Sequence, residues 1–394
     1  VATIGRSTAV DGALERLAVG ARVDSIGISI DQPCGVHDHA VLLAAALGDA
    51  GCVCALHWLS RPGKPLGAER AGLRAWAQDL TDELRRTPPD ALLLHYSVFA
   101  FSYRGVPVFV RPVLAALRDR QVPLVTFMHE FAYPWRLGGV RGTVWAATQR
   151  LALIEVVRAS AAIVVSSDAR AEWFLSRPWL ARRPTFVAPV FSNLPAPAER
   201  APDGARVARL GLFGYAHEGV AADTVLDALR MLRDDGEEVE LVLLGAPGRA
   251  SPAGARWQQA VDQRGLTGAV GFSGLLPAQD LSDELSRCTV ILFAERGGPT
   301  SRKTTLAASL ASGRPVVALD GANSWPQLLG AGAAVVVPPD ARSLASALAR
   351  LLADDAERAR QGERGRAFAR REMSVEQSAR IIGDALARAS GRTG

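Results

Sequence analysis

Lysine is almost missing from this 394-residue chain: of its 45 basic residues only Lys64 and Lys303 are lysine, so the net charge of +5 rests on arginine. A GC-rich coding sequence yields such usage without selection at any site, which makes the two surviving lysines stand out. Charge of one sign never dominates, because 40 acidic residues are interspersed. That excludes a dedicated nucleic-acid surface. Cysteine is scarce too. Cys34, Cys52, Cys54 and Cys288 are too few and too scattered to staple a chain of this length, and a reduced, cytoplasmic setting is expected. Cys52 and Cys54 lack a second pair of ligands nearby, so no metal site is expected. Long apolar runs are also wanting: no stretch reaches the ~18 to 20 residues of a membrane span. The segment Val1 to Ala21 is interrupted by Arg6, Asp11, Glu15 and Arg16, unlike the apolar core of a signal peptide. A soluble protein is expected.

What is present is an ordinary globular balance, 48% hydrophobic and 22% charged, at a length that suggests two domains. Short apolar runs alternate with helical patterns. Strands are expected at Asp24 to Ile30, Gly51 to Leu56, Asp90 to Tyr96, Pro123 to Phe127, Ala161 to Val165 and Thr185 to Val190. After the Pro-rich stretch Asn193 to Ala205 the alternation restarts, with strands at Ala208 to Phe213, Glu238 to Leu244, Val270 to Phe272, Val290 to Phe293, Pro315 to Leu319 and Ala333 to Val337. Apolar strands separated by helices imply parallel sheets covered on both faces. The expected organisation is an α/β domain over 1–192, a linker over 193–206, a second α/β domain over 207–374 and a helix over 375–394 returning to the first domain. In such sheets ligands sit beyond the carboxyl ends of the strands, here in the cleft between the halves.

Among the loops that follow strands, Glu295 to Thr305 (ERGGPTSRKTT) is the richest. Gly297 and Gly298 permit close backbone approach, and Thr300 or Ser301 is placed to cap the next helix. Arg302 and Lys303 are expected in its first turn, where cations oppose the helix dipole unless an anion is bound. Together with Thr304 and Thr305 they describe a phosphate or diphosphate cradle. Gln32 to His39 offers Gly35 near a helix start. Phe127 to Tyr133 offers the adjacent pair His129 and Glu130, which is no His-Glu-x-x-His zinc motif because Tyr133 fills the last position. Gly214 to Gly219 and Gly271 to Leu275, including Ser273, follow strands of the second half. The basic and aromatic stretch Arg170 to Arg183 reads as an exposed helix end and leaves peripheral contact with an acidic membrane open.

In their order, CGVHDH, the HE pair after PLVTFM, VFSNLP, GLFG, VGFSGLL and LAASLASGRPVVALDG resemble retaining, nucleotide-sugar-dependent glycosyltransferases of family GT4. The resemblance covers most of the chain from Asp24 onward. It implies the GT-B fold, two Rossmann-like domains facing across a cleft, and a nucleotide-diphosphate sugar as donor substrate with no further cofactor and no metal. It also implies that Gly35 lies against the donor diphosphate and acceptor, that His129 contacts the transferred sugar, and that Gly271 to Leu275 borders the nucleobase. Two features depart from the family. Its pair of glutamates seven residues apart falls here on Thr300 and Ala308, and the basic residues after the first strand of the second half are absent from Gly214 to Gly219. Arg302 and Lys303 are therefore expected to supply the diphosphate charge and Glu295 to hold sugar hydroxyls. The expected activity is transfer of a sugar to an acceptor on a natural product, lipid carrier or polysaccharide. A GT-B epimerase and a non-catalytic GT-B partner protein are the rival readings.

Overall fold

The computed structural model of the chain describes residues 4–5 (backbone only), 20–30, 34–118, 122–135, 138–197 and 207–391. The chain divides into two compact units, residues 1–189 with 375–394 and residues 190–374.

The first unit runs β1 (Ile4–Gly5), β2 (Arg22–Ile30), α1 (Gly35–Asp49), β3 (Val53–Arg61), α2 (Leu66–Arg86), β4 (Ala91–Ser97), α3 (Val110–Arg118), β5 (Leu124–Glu130), α4 (Gly139–Ala159), β6 (Ala162–Val165), α5 (Asp168–Leu175) and β7 (Thr185–Val187). The strands form one parallel sheet in the order β1-β7-β6-β5-β4-β2-β3. The central strand β4 is buried along its whole length, as its apolar sequence ALLLHYS requires of a strand covered on both faces. On α2 the buried residues Leu73, Ala77, Leu80 and Leu84 recur at helical spacing, and Arg85 and Arg86 sit in its last turn, where the dipole favours cations. β3 extends beyond the expected Leu56 because it pairs with β2 residue for residue as far as Arg61. Its polar residues are tolerated at the sheet edge.

The second unit runs β8 (Ala208–Phe213), α6 (Ala222–Asp234), β9 (Val239–Leu244), α7 (Pro252–Gln263), β10 (Val270–Gly274), α8 (Ala278–Arg287), β11 (Val290–Phe293), α9 (Thr304–Ala311), β12 (Val316–Leu319), α10 (Pro326–Gly330), β13 (Val335–Val337), α11 (Ala341–Ala353) and α12 (Asp355–Glu372). Its strands are parallel in the order β10-β9-β8-β11-β12-β13. Ser251, Asp340 and Asp354 cap α7, α11 and α12 by accepting backbone N–H groups. Residues 198–206 of the expected linker lie outside the described residues. The part before them is held along α8, where Ser282 Oγ donates to the Pro195 carbonyl at 2.7 Å.

The last helix, α13 (Val375–Ala389), belongs to the first unit. Its Ser378 hydroxyl donates to the Pro189 carbonyl at 2.9 Å, and it buries Ile381, Ile382, Ala385 and Leu386.

Candidate active site

In a sheet of order 3-2-1-4-5-6 the ligand crevice opens where the strand order reverses, between the first and fourth strands. In the second unit those strands are β8 and β11. The loops leaving them are Gly214 to Gly219 and Glu295 to Lys303, and the structure brings them together. Val220 forms a bridge with Glu295, and Arg296 N–H donates to the Gly219 carbonyl at 2.9 Å. Gly214 adopts φ +79°, and a Cβ on it would stand 2.8 Å from Cγ2 of Thr305. Only glycine lets the loop lie this close to the start of α9.

Three side chains converge there. Lys303 Nζ is 2.7 Å from Glu295 Oε1 and 3.4 Å from His217 Nε2. His217 Nδ1 accepts the Gly219 N–H at 3.0 Å, so the neutral ring carries its proton on Nε2. An N–H and an ammonium then face the same space, and an acceptor such as a phosphate oxygen satisfies both. Leu306 N–H donates to the Lys303 carbonyl at 3.1 Å, whereas the Thr304 and Thr305 N–H groups precede any intrahelical carbonyl and add donors at the same end.

Sequence reasoning placed this loop but erred in detail. α9 begins at Thr304; Lys303 is its N-cap in extended conformation, and no side chain caps the helix. Arg302 therefore stands exposed on the preceding turn and not in the helix's first turn. Neither Thr300 nor Ser301 is the cap. The Thr300 carbonyl accepts Lys303 N–H at 3.3 Å, and buried Ser301 accepts Val190 N–H at 2.9 Å through its carbonyl. Gly298, at φ +83°, packs against the backbone of Gly321, and the Gly297 carbonyl accepts Asn323 N–H at 2.8 Å. Thr304 is exposed at the helix start. His217 was missed because a single histidine in a loop carries no signal until strand order sets it beside Lys303.

Gly271 and Ser273 fall elsewhere. Both line a cavity of about 570 Å³ beside α8, into which Glu240, Asp280, Asp283 and Glu284 also project and which no residue of the Glu295 to Lys303 loop lines. Ser273 Oγ accepts Gly245 N–H at 2.9 Å, a bond that ties the end of β9 to β10. Arg209 and Arg287 line it too, and both pair with Glu284.

In the first unit the strand order β5-β4-β2-β3 reverses between β2 and β4. Three histidines gather there: His39 on α1, His95 on β4 and His129 on β5. His95 Nδ1 lies 3.2 Å from His129 Nε2, and the His39 ring stands edge-on to His129 at 5.1 Å. Burial pushes the His39 imidazole down to about 4. Burial, and then the neighbouring His39, push His95 and His129 well below the ordinary value; His95 and the Arg170 guanidinium push His129 further. All three rings are neutral at physiological pH. Their ligand nitrogens lie within 4.8 Å of one another, the set among the described residues that could hold a metal ion, and its all-nitrogen chemistry suits zinc. His95 was hidden in an apolar run.

Glu130 and Gly35 sit at the same end of the sheet. Glu130 Oε2 accepts from Arg170 at 2.9 Å, and the same guanidinium donates to the carbonyls of Met128 and His129, fixing the end of β5. Gly35 opens α1 behind Cys34, which makes no side-chain cap bond, and a Cβ on Gly35 would meet nothing within 4 Å. Gln32 and Pro33 lie outside the described residues. No helix among the described residues is long and apolar enough to cross a membrane.

Comparison with known proteins bears on the fold. Residues 207–354 match the family Glycosyl transferases group 1. Along nearly its whole length the chain is similar in structure to a glycosyltransferase from Rickettsia africae (11% identity, 94% of this chain and 98% of that one, TM-score 0.70). It is similar to sucrose-phosphate synthase from Thermosynechococcus elongatus (16%, 92% and 97%, TM-score 0.65) and to an Anabaena protein solved with UDP and glucose (15%, 92% and 99%, TM-score 0.65). No curated protein sequence matches the chain. The family match lies within the second unit, and the likeness along the whole chain is one of fold: two Rossmann-like α/β units, as in GT-B proteins.

Proposed function

We propose that the chain transfers a sugar from a nucleotide-diphosphate sugar to an acceptor hydroxyl or amine with retention of anomeric configuration. The observation that carries this reading is the convergence of the Lys303 ammonium, the His217 Nε2–H and the start of α9 at the β8/β11 switch point. In the reaction the bond from the anomeric carbon to the diphosphate breaks, and negative charge grows on the departing oxygens. Donors already aimed at that charge stabilise the transition state more than the ground state. Lys303 and His217 take this role, with Arg302 adding a cation from the adjoining turn. The acceptor oxygen bonds to the anomeric carbon on the face the diphosphate leaves, and its proton passes to a departing phosphate oxygen. No strong separate base is demanded. Glu295 holds Lys303 in place and accepts from sugar hydroxyls.

The acceptor is assigned to the first unit, at the carboxyl ends of β2, β4 and β5. There neutral His129 hydrogen-bonds sugar or acceptor hydroxyls, and Glu130 with Arg170 keeps the strand end in place. Support for a uridine donor comes from the Anabaena structure and from an E. coli structure bound with UDP-2-fluoro glucose.

A thermal-shift screen against UDP, GDP, TDP and ADP tests donor binding, because a nucleotide that binds only the folded state raises the melting temperature. The cognate one is expected to do so, and Lys303→Ala with Arg302→Ala to remove the shift. An unchanged shift in that variant overturns the site. NMR of the product from the matching nucleotide sugar reads the anomeric configuration; an inverted anomer overturns retention, and an epimerised donor without acceptor overturns transfer.

A further inference from the structure

The first unit carries an apolar stripe that its own fold leaves uncovered. α4 buries Gly142, Ala146, Gln149, Leu153, Val156 and Val157 against the rest of the unit. At ~100° per residue, Val140, Val144, Ala147 and Leu151 fall on the opposite side. Val140 is 85% and Leu151 62% exposed, and Val144 is exposed beside them. An apolar stripe at helical spacing that faces away from the core is not needed for folding and marks a contact surface.

Its surroundings identify the occupant. Trp135, 51% exposed, precedes the helix, and the Arg150 guanidinium lies over its ring at 4.4 Å. The Arg141 guanidinium lies over Trp145 at 4.6 Å on the other flank. Arg177 is close enough to Arg150 to lower the latter's pKa, burial being the larger cause; it covers Trp173, which meets exposed Trp179 edge-on at 5.9 Å. The basic residues of α4 are Arg141, Arg150 and Arg158, whereas its one carboxylate, Glu155, is taken by Arg111 at 2.7 Å. Aliphatic residues along one line, tryptophans at its margin and arginines on both flanks match the layering of a lipid interface: acyl chains, glycerol level, anionic headgroups. A partner helix needs no such excess of positive charge.

We infer that the exposed face of α4, with Trp135, Trp179 and their arginines, docks the first unit on an anionic lipid bilayer. The helix lies along the interface and does not enter the membrane as a span. Docking stands on this surface alone. Its consequence, that the acceptor is carried by a membrane lipid, rests on the glycosyltransferase reading, since α4 follows His129 and Glu130 by a short loop.

Vesicle sedimentation of the intact chain tests the docking and reads no turnover, so its failure is separate from failure of the catalytic assignment. The chain is expected to sediment with phosphatidylcholine vesicles containing phosphatidylglycerol and not with phosphatidylcholine alone. Binding should weaken about tenfold or more between about 0.1 M and about 1 M salt. The double variant Val140→Ser, Leu151→Ser should lose about tenfold in vesicle affinity with an unchanged melting temperature, because both side chains are exposed. Equal binding to neutral vesicles, undiminished binding by the double variant, or a dimer in light scattering that the double variant dissociates would each overturn it, the last by showing that a second copy covers the stripe.

Discussion

Lys303 Nζ and Glu295 Oε1 stand 2.7 Å apart at the start of α9, with Glu295 14% and Lys303 24% exposed. The pair joins the two ends of one loop, so the ammonium is fixed before any donor arrives. Without an anion a cation at this N-cap opposes the helix dipole, and Glu295 offsets that cost. Lys303→Ala is expected to lower kcat by about 10²- to 10³-fold, the usual effect of removing one preorganised donor to developing negative charge. Lys303→Arg should recover part of the loss. Steady-state kinetics with the cognate nucleotide sugar checks this, and a loss within about threefold would remove Lys303 from the reaction.

Gly298 sets the shape of the same loop. At φ +83° a side chain is strained, and a Cβ would also stand 2.8 Å from the Gly321 amide nitrogen, which is backbone and has no easy way to yield. Gly298→Ala is expected to cost about 2 to 4 kcal/mol in urea unfolding and to weaken nucleotide binding, because Lys303 no longer sits where α9 begins. Gly35→Ala provides the contrast. Its Cβ meets nothing, so stability should hold within about 0.5 kcal/mol, and loss of turnover there would mark the open space as ligand space.

Both sheets were legible because parallel strands, buried on two faces, must read as apolar runs; LLL in β4, LVLL in β9 and VILF in β11 are of this kind. The loop after β11 was legible because two glycines and a rare lysine follow directly on a strand. His217 was not, being 86 residues from Lys303 in sequence and near it only through the parallel pairing of β8 with β11. His39, His95 and His129 were separated for the same reason. The uncovered stripe of α4 escaped notice for another: apolar periodicity predicts a buried face, yet the small residues Gly142 and Ala146 allow closer packing on the opposite side.

The three neutral histidines make the first unit acid-sensitive. In the unfolded chain these rings titrate near 6.5, whereas His39 in the folded chain takes a proton only at about 4. Between those values the unfolded state binds more protons, so stability rises with pH and is lost as pH falls below about 6.5. A depression of this size in one histidine corresponds to roughly 3 kcal/mol at most, and His95 and His129 shift in the same direction. Urea unfolding at pH 7.5 and pH 5 should show the drop, and His39→Leu should reduce it. A slope identical in the variant would assign the acid sensitivity to other groups. Saturating zinc offers a separate check: if the histidines hold the metal, it raises stability at pH 7.5 and the gain vanishes at pH 5, where protons compete for the same nitrogens.

Arg61 and Glu69 form the most buried ion pair among the described residues, at 2.7 Å with side chains 4% and 1% exposed. Each is satisfied beyond the pair. Glu69 Oε1 accepts the Lys64 N–H at 2.8 Å, and Arg61 donates to the carbonyls of Ala100 and Ser102 while its guanidinium lies 3.9 Å over the Phe109 ring. The pair thereby fastens the end of β3 and the start of α2 to the segment that follows β4. Removing one partner leaves a buried charge alone, so Arg61→Ala or Glu69→Ala should each cost about 3 to 5 kcal/mol. Replacing both, as Arg61→Met with Glu69→Leu, strands no charge and should recover much of that, less what the two carbonyls lose. A double-mutant cycle by urea unfolding, with Arg61→Met and Glu69→Leu made singly and together, decides the matter. If the double variant is as unstable as the sum of the singles, the residues do not act as a pair, and the fastening of β3 rests on the guanidinium and its carbonyls alone.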